Sequence, residues 1–179
     1  MAQTATIYTF AIELSDMDRG VYESLDLRVA RQPSETMEYM LSRVIGYCRE
    51  YREGIAFTQG IAAGDEPAVA VRDLTGQLLV WVEVGMPDAD RLHRASKHAA
   101  RVVVYTHRNP EVLKQQLAGK RIHRAEEISI FALDMRFMAA LSAAVERRTS
   151  LSLSITEGQI YVEVGGQSIA SALAEHRLA

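Results

Sequence analysis

The chain reads as a mixed α+β fold: a mixed β-sheet with helices packed on it and an extra β-hairpin at each end. Three observations point there. Segments alternating apolar and polar residues come in pairs joined by turn residues near both ends of the chain, as hairpins do. Between them, apolar residues recur at helical spacing in several segments. Residues 102–105 (VVVY) are apolar without interruption, as in a strand buried on both faces. Strands interleaved with helices give this class.

Residues 4–14 (TATIYTFAIEL) alternate, SDMDRG breaks the pattern, and VYESLDLRVA alternates again, which makes the first hairpin. Pro33 and Ser34 open the first helix, with Ser34 as N-cap and Glu35 in the first turn, where the helix dipole favours an acid. Met37, Met40, Leu41, Val44, Ile45 and Cys48 then form one apolar stripe, so this helix lies on a core. Gly54 follows, and IAFTQGI (55–61) reads as a short strand. AVAVR (68–72) and LLVWVEV (78–84) flank Thr75-Gly76 as a second hairpin. Residues 85–88 (GMPD) end that strand and start a helix whose inward stripe is Leu92, Ala95, Ser96 and Ala99. A helix over 109–120, a strand at ISIFAL (128–133), a helix at MRFMAALSAAVERR (135–148) and a hairpin around Glu157-Gly158 follow. The last dozen residues carry no clear periodicity.

With 179 residues, 48% of them apolar and 24% charged, the chain is long enough for one domain with a substantial core. No apolar run approaches the roughly 20 residues of a membrane helix, and the N-terminus lacks the basic and apolar regions of a signal peptide. A lone cysteine, Cys48, permits neither an internal disulfide nor a cysteine-based zinc site. A cytoplasmic protein, a monomer without membrane association, is expected. The five histidines (93, 98, 107, 123 and 176) lack the spacing of a metalloprotease helix, and no phosphate-binding glycine loop is present. The net charge is −3, yet residues 91–124 hold nine Lys/Arg and one acid, Glu111. Such asymmetry marks either a face that meets polyanions or the solvent sides of two amphipathic helices.

The chemistry concentrates on the 68–84 hairpin. With Thr75-Gly76 in the loop, Glu83 lies opposite Ala68 or Pro67, close to Asp65 and Glu66. Asp73 falls at the far end. Glu83 shares a strand face with Leu79 and Trp81, where a carboxylate is costly unless it is paired or metal-bound. Two arrangements satisfy it. One is an ion pair with Arg91 or Arg94. The other is a hard cation such as Mg²⁺ held jointly with Asp65, since converging carboxylates suit that ion. Glu38, beside the apolar stripe of its helix, is placed to reach the same region.

The motifs RQPSET (31–36), FTQG (57–60), DEP (65–67), WVEVGMPD (81–88) and YT (105–106) resemble the YaeQ family along essentially the whole chain. The resemblance implies a single domain over residues 1–179. It also implies a variation of the PD-(D/E)XK nuclease core over about residues 34–107: a helix, a three-strand meander, a helix and a strand. By that likeness Glu38, or as the second choice Glu35, is the helix acid, Asp65 the strand aspartate with Glu66 beside it, and Glu83 the glutamate of the E-x-K element. Asp65 and Glu83 would bind Mg²⁺. The lysine position, two residues on, is Gly85, so Arg91 or Lys97 from the next helix would take that role. Arg94, Arg101, Lys120 and Arg121 would meet nucleic-acid phosphates. Two functions follow as expectations: Mg²⁺-dependent phosphodiester hydrolysis on nucleic acid, or non-catalytic binding of nucleic acid or a transcription-related protein through the same groove.

Overall fold

In the computed structural model, which describes residues 4–59 and 65–179, the strands divide between two mixed sheets. Contacts divide the chain into two units, residues 1–41 with 133–173, and residues 42–132 with 174–179. Gly60 and Ile61, at the end of the expected third strand, lie outside the described residues.

The first unit begins with β1 (Thr6–Asp16) and β2 (Val21–Arg31), an antiparallel hairpin in which Thr6 faces Arg31. β8 (Arg148–Thr156) runs parallel to β1, followed by the antiparallel strands β9 (Gln159–Val164) and β10 (Gln167–Ala172). The sheet order is β10-β9-β8-β1-β2. Strict alternation buries Phe10, Ile12 and Leu14, then Leu25, Leu27 and Val29, then Leu151, Leu153 and Ile155, and leaves the residues between them mostly exposed. Asp18, in the first hairpin's turn, accepts from the backbone N–H groups of Glu157 and Gly158, tying the β1–β2 turn to the β8–β9 turn. α4 (Met135–Ala144) buries Phe137, Met138 and Leu141 and stops short of the expected end at residue 148. Val145 is its C-cap, and the chain enters β8 at Arg148.

α1 (Met37–Arg49) starts two residues later than expected. Its N-cap is Thr36, whose Oγ1 accepts from the N–H of Tyr39 at 3.1 Å. Ser34 lies in a turn before the helix. Glu35 is buried instead of sitting in the first turn, and its Oε1 accepts from the N–H of Gln32 at 3.0 Å. The side chain thus closes the turn that Pro33 makes, and Glu38 becomes the first-turn acid.

In the second unit, β3 (Ile55–Phe57), β4 (Val69–Arg72) and β5 (Leu78–Val84) form an antiparallel meander. α2 (Ala89–His98) leads to β6 (Arg101–Thr106), parallel to β5. α3 (Pro110–Leu117) leads to β7 (Ser129–Ala132), parallel to β6, and the chain ends in β11 (Ala174–Arg177) on the outer edge of β7. β5 and β6 are central, hence their largely apolar sequence. Trp81, Val102 and Val104 share one cluster with Leu92 and Ala95 of α2. Val82 and Tyr105 abut Gly46 of α1, where an added Cβ would stand 3.2 Å from Val82 Cγ1. At the end of α1, buried Glu50 accepts from Arg49, Arg101 and the Tyr105 hydroxyl, so three donors satisfy one carboxylate.

Candidate functional site

The turn of the β4–β5 hairpin closes Asp73 onto Gln77, one residue wider than the expected Thr75-Gly76 loop, and a bulge between Val71 and Arg72 restores the expected register beyond it. Val69 faces Val82, Ala70 faces Trp81 and Val71 faces Val80, and the N–H of Ala68 reaches Val82 O at 2.9 Å. Glu83 therefore stands one pleat past Val82, beside the start of β4 and the segment carrying Asp65 and Glu66. Its side chain follows the Trp81 face toward α2, and Glu83 is 2% exposed.

Local chemistry sets the entry into α2. Gly85 adopts φ 89°, a conformation that side-chain-bearing residues rarely take. Its N–H bonds Tyr105 O at 2.9 Å, so the chain leaves the strand while still tied to β6. Pro87 follows, and Asp88 caps the helix by accepting from the N–H of Arg91 at 2.8 Å. This cap places Arg91 in the first turn, where a side chain points back toward the helix N-terminus and so toward β5.

Arg91 reaches Glu83 there. Its Nε donates to Glu83 Oε2, its Nη2 donates to Glu83 Oε1 at 3.1 Å, and Nη2 also reaches the backbone oxygen of Glu66. The Trp81 indole N–H points at Glu83 Oε2 at 3.4 Å, and the guanidinium lies 5.7 Å from the Trp81 ring centroid. Bidentate, charge-assisted geometry of this kind is the strong form of the interaction. Burial pushes the Glu83 carboxyl pKa upward. Arg91 opposes that rise, the indole opposes it further, and Asp88 adds to it.

Asp65 has its own arginine, with Arg94 Nη1 at 2.7 Å from its Oδ1. That pair is exposed and contributes little stability. Asp65, Trp81, Arg91, Arg94 and His98 line a cavity of about 220 Å³. Glu66 contributes its carbonyl to Arg91 and lines a different cavity along β3. Lys97 is exposed and does not line the 220 Å³ cavity, so of the two cations expected to replace the strand lysine, Arg91 is the one at Glu83. Glu38 is half-buried in the first turn of α1, within the first unit.

Asp65 and Glu83 thus face separate arginines rather than a shared point. Among the described residues, no three His, Cys, Asp or Glu side chains converge as a metal site. As arranged, the donors do not fit Mg²⁺, which requires several oxygens turned toward it at about 2.0–2.1 Å in octahedral geometry. Arg101, one of the expected phosphate contacts, is spent on Glu50. The side chains of Lys97, Lys120 and Arg121 make no ion pair among the described residues. The N–H of His123 donates to His93 Nδ1 at 3.0 Å, which fastens the 121–123 segment to α2. Burial lowers the His93 pKa, and Lys97, Arg121 and His123 lower it further.

Two contributors went unnoticed in the sequence. Trp81 is a hydrogen-bond donor to the acid two residues along its own strand. His98 joins the cavity because residues 91, 94 and 98 share a helical stripe, a spacing that was legible but that polar residues alone do not flag.

Gly85→Lys tests the turn directly. A side chain at φ 89° costs about 1–3 kcal/mol, which lowers the Tm by roughly 3–9 °C. Calorimetry reads this, and an unchanged Tm would show that the turn relaxes freely.

A YaeQ protein family model matches residues 1–173. The chain is 34% identical to the uncharacterized protein YaeQ of Escherichia coli (strain K12) over 164 residues, 90% of each chain. It is 33% identical to that of Salmonella typhi, with the same coverage. Among solved structures, the YaeQ protein from Pseudomonas syringae superposes with a TM-score of 0.89 at 33% identity, covering 99% of this chain and 98% of that one. The YaeQ protein from Xanthomonas axonopodis pv. citri gives 0.88 at 27% identity, covering 97% and 99%.

Proposed function

The chain belongs to the YaeQ family, and we propose that it acts there as a nucleic-acid-binding protein, engaging phosphates through the solvent face of α2 and the adjoining 120–123 segment. One observation supports this reading: the His123–His93 hydrogen bond ties the 121–123 segment to α2, and Lys97 and Arg121, distant in sequence, both act on His93. Neither is neutralised by an acid among the described residues. His98 and Arg94, the latter paired with Asp65, continue the α2 surface toward the cavity. Polyanions bind such faces by displacing condensed counterions. The overall charge of −3 keeps the remaining surface from binding indiscriminately.

The test is binding of a short duplex across a salt series. With three or four phosphates contacted, log K falls with log salt at a slope of about −3 to −4. Lys97→Ala and Arg121→Ala each weaken binding irrespective of sequence and reduce the slope by about one. Salt-independent binding, or variants indistinguishable from wild type, would end the proposal.

The buried glutamate beside Asp65 and the helix–meander–helix–strand order keep a competing reading in view, Mg²⁺-dependent phosphodiester hydrolysis. It requires Arg91 to leave Glu83. A nuclease assay with Mg²⁺ or Mn²⁺ separates the two: cleavage by wild type that Glu83→Ala abolishes would favour the enzyme.

A further inference from the structure

Arg91 binds a particular set of oxygens. It takes both oxygens of a buried carboxylate and one backbone carbonyl, with the Asp65 carboxylate on the adjoining cavity wall. Carboxylate and carbonyl oxygens gathered in this way are what a hard divalent cation selects. The guanidinium also lies near the Trp81 ring, where the face of an indole attracts positive charge. An ordinary surface ion pair has none of this: Glu83 is 2% exposed, and its partner is aimed by the Asp88 cap of its own helix.

From this we infer that Arg91 is a tethered cation occupying the position a divalent ion would take, so that the site is neutralised from within and does not take up metal. A buried carboxylate is costly without a counter-charge unless it takes up a proton, and here the protein supplies that charge covalently. Tethering gives the guanidinium an effective concentration on the order of millimolar or above, enough to hold the oxygens against a weakly held free ion. Two lesser consequences follow. Ligand binding in the cavity is independent of divalent ions, and removing the guanidinium exposes a latent oxygen site. None of this requires nucleic-acid binding.

Trp81 is the only tryptophan in the chain and sits beside Glu83, so it is a built-in sensitiser for terbium luminescence. Tb³⁺ is a hard, oxygen-seeking probe and is titrated into wild type, Arg91→Ala, Glu83→Gln and the Arg91→Ala/Glu83→Gln double variant, without nucleic acid. Wild type and Glu83→Gln are expected to give the same weak signal. Arg91→Ala is expected to bind Tb³⁺ at least about tenfold more tightly, the scale on which one supporting group alters metal affinity. The double variant returns to the wild-type level.

Tryptophan-sensitised binding in wild type that Glu83→Gln removes would overturn the inference. So would a folded Arg91→Ala that gains nothing. If Arg91→Ala does not fold alone, it is refolded with Mn²⁺. Recovery of its far-ultraviolet circular dichroism supports the substitution of ion for guanidinium, and no recovery refutes it. Nucleic-acid binding enters none of these readouts, so either proposal can fail without the other.

Discussion

Arg91→Ala is expected to destabilise the protein by about 3–5 kcal/mol, the cost of removing one partner from a buried ion pair. Most of that cost is the Glu83 carboxylate left behind, with the Trp81 indole as its remaining side-chain donor among the described residues. Adding Glu83→Gln to Arg91→Ala should therefore recover much of the loss, because a neutral amide removes the buried charge. Urea unfolding of the two single variants and the double variant gives the coupling between the residues. A loss below 1 kcal/mol for Arg91→Ala would mean that Glu83 is relieved by water or by protonation.

The pH dependence follows from the same pair. Burial raises the folded-state pKa of Glu83 above its ordinary value of 4.5. For a group shifted in this direction, the stability contribution is fully present below the unfolded value and is lost as pH rises through the folded value. The stability difference between wild type and Glu83→Gln should accordingly be flat below pH 4.5 and then move in favour of the glutamine variant as pH rises. A difference that moved toward wild type would show Arg91 outweighing burial.

Gly54→Ala is the second large effect. Gly54 adopts φ 91°, and a Cβ there would stand 2.1 Å from the backbone oxygen of Arg72. That oxygen belongs to β4, whose Arg72 N–H bonds back to Gly54 O at 3.1 Å. The clash cannot be relieved by rotating a side chain. A disfavoured backbone conformation and overpacking each cost about 1–3 kcal/mol, so the sum is about 3 kcal/mol or more. The expected damage is local first: β3 detaches from β4, and amides at 55–57 and 69–72 lose hydrogen-exchange protection before those of β6. Protection that fell uniformly would show the meander unfolding together with the rest of its sheet.

Much of this was legible because it rests on local periodicity. Alternation in β1, β2, β8 and β9 and the stripe of α1 depend on which residues are apolar, and burial followed them. The β4–β5 pairing at the Glu83 end matched the counted register, because a bulge between Val71 and Arg72 offsets a turn one residue wider than Thr75-Gly76 implies. What escaped rests on weak or competing signals. The start of α1 was misplaced because Ser34 and Thr36 are both good caps, and only the burial of Glu35 in the preceding turn decides between them. β10 and β11 were missed because QSIASA and AEHR have too few apolar residues to show a period. They are strands because β9 and β7 offer them paired edges.

The sequence by itself determined that a carboxylate lies on an otherwise apolar strand face and that arginines follow it on a helix. It also determined that glycine stands two residues after that carboxylate, at Gly85. Which arginine meets the glutamate was decided only by the tertiary structure. That choice depends on the rotation of α2 about its axis relative to β5, set by the φ of Gly85, the Asp88 cap and the seating of Leu92 and Ala95 in the core. One residue's change of phase turns a helix by about 100°, enough to replace Arg91 with a neighbour. Spacing along a chain names the candidates for an ion pair, but only packing fixes the angle at which a helix presents them.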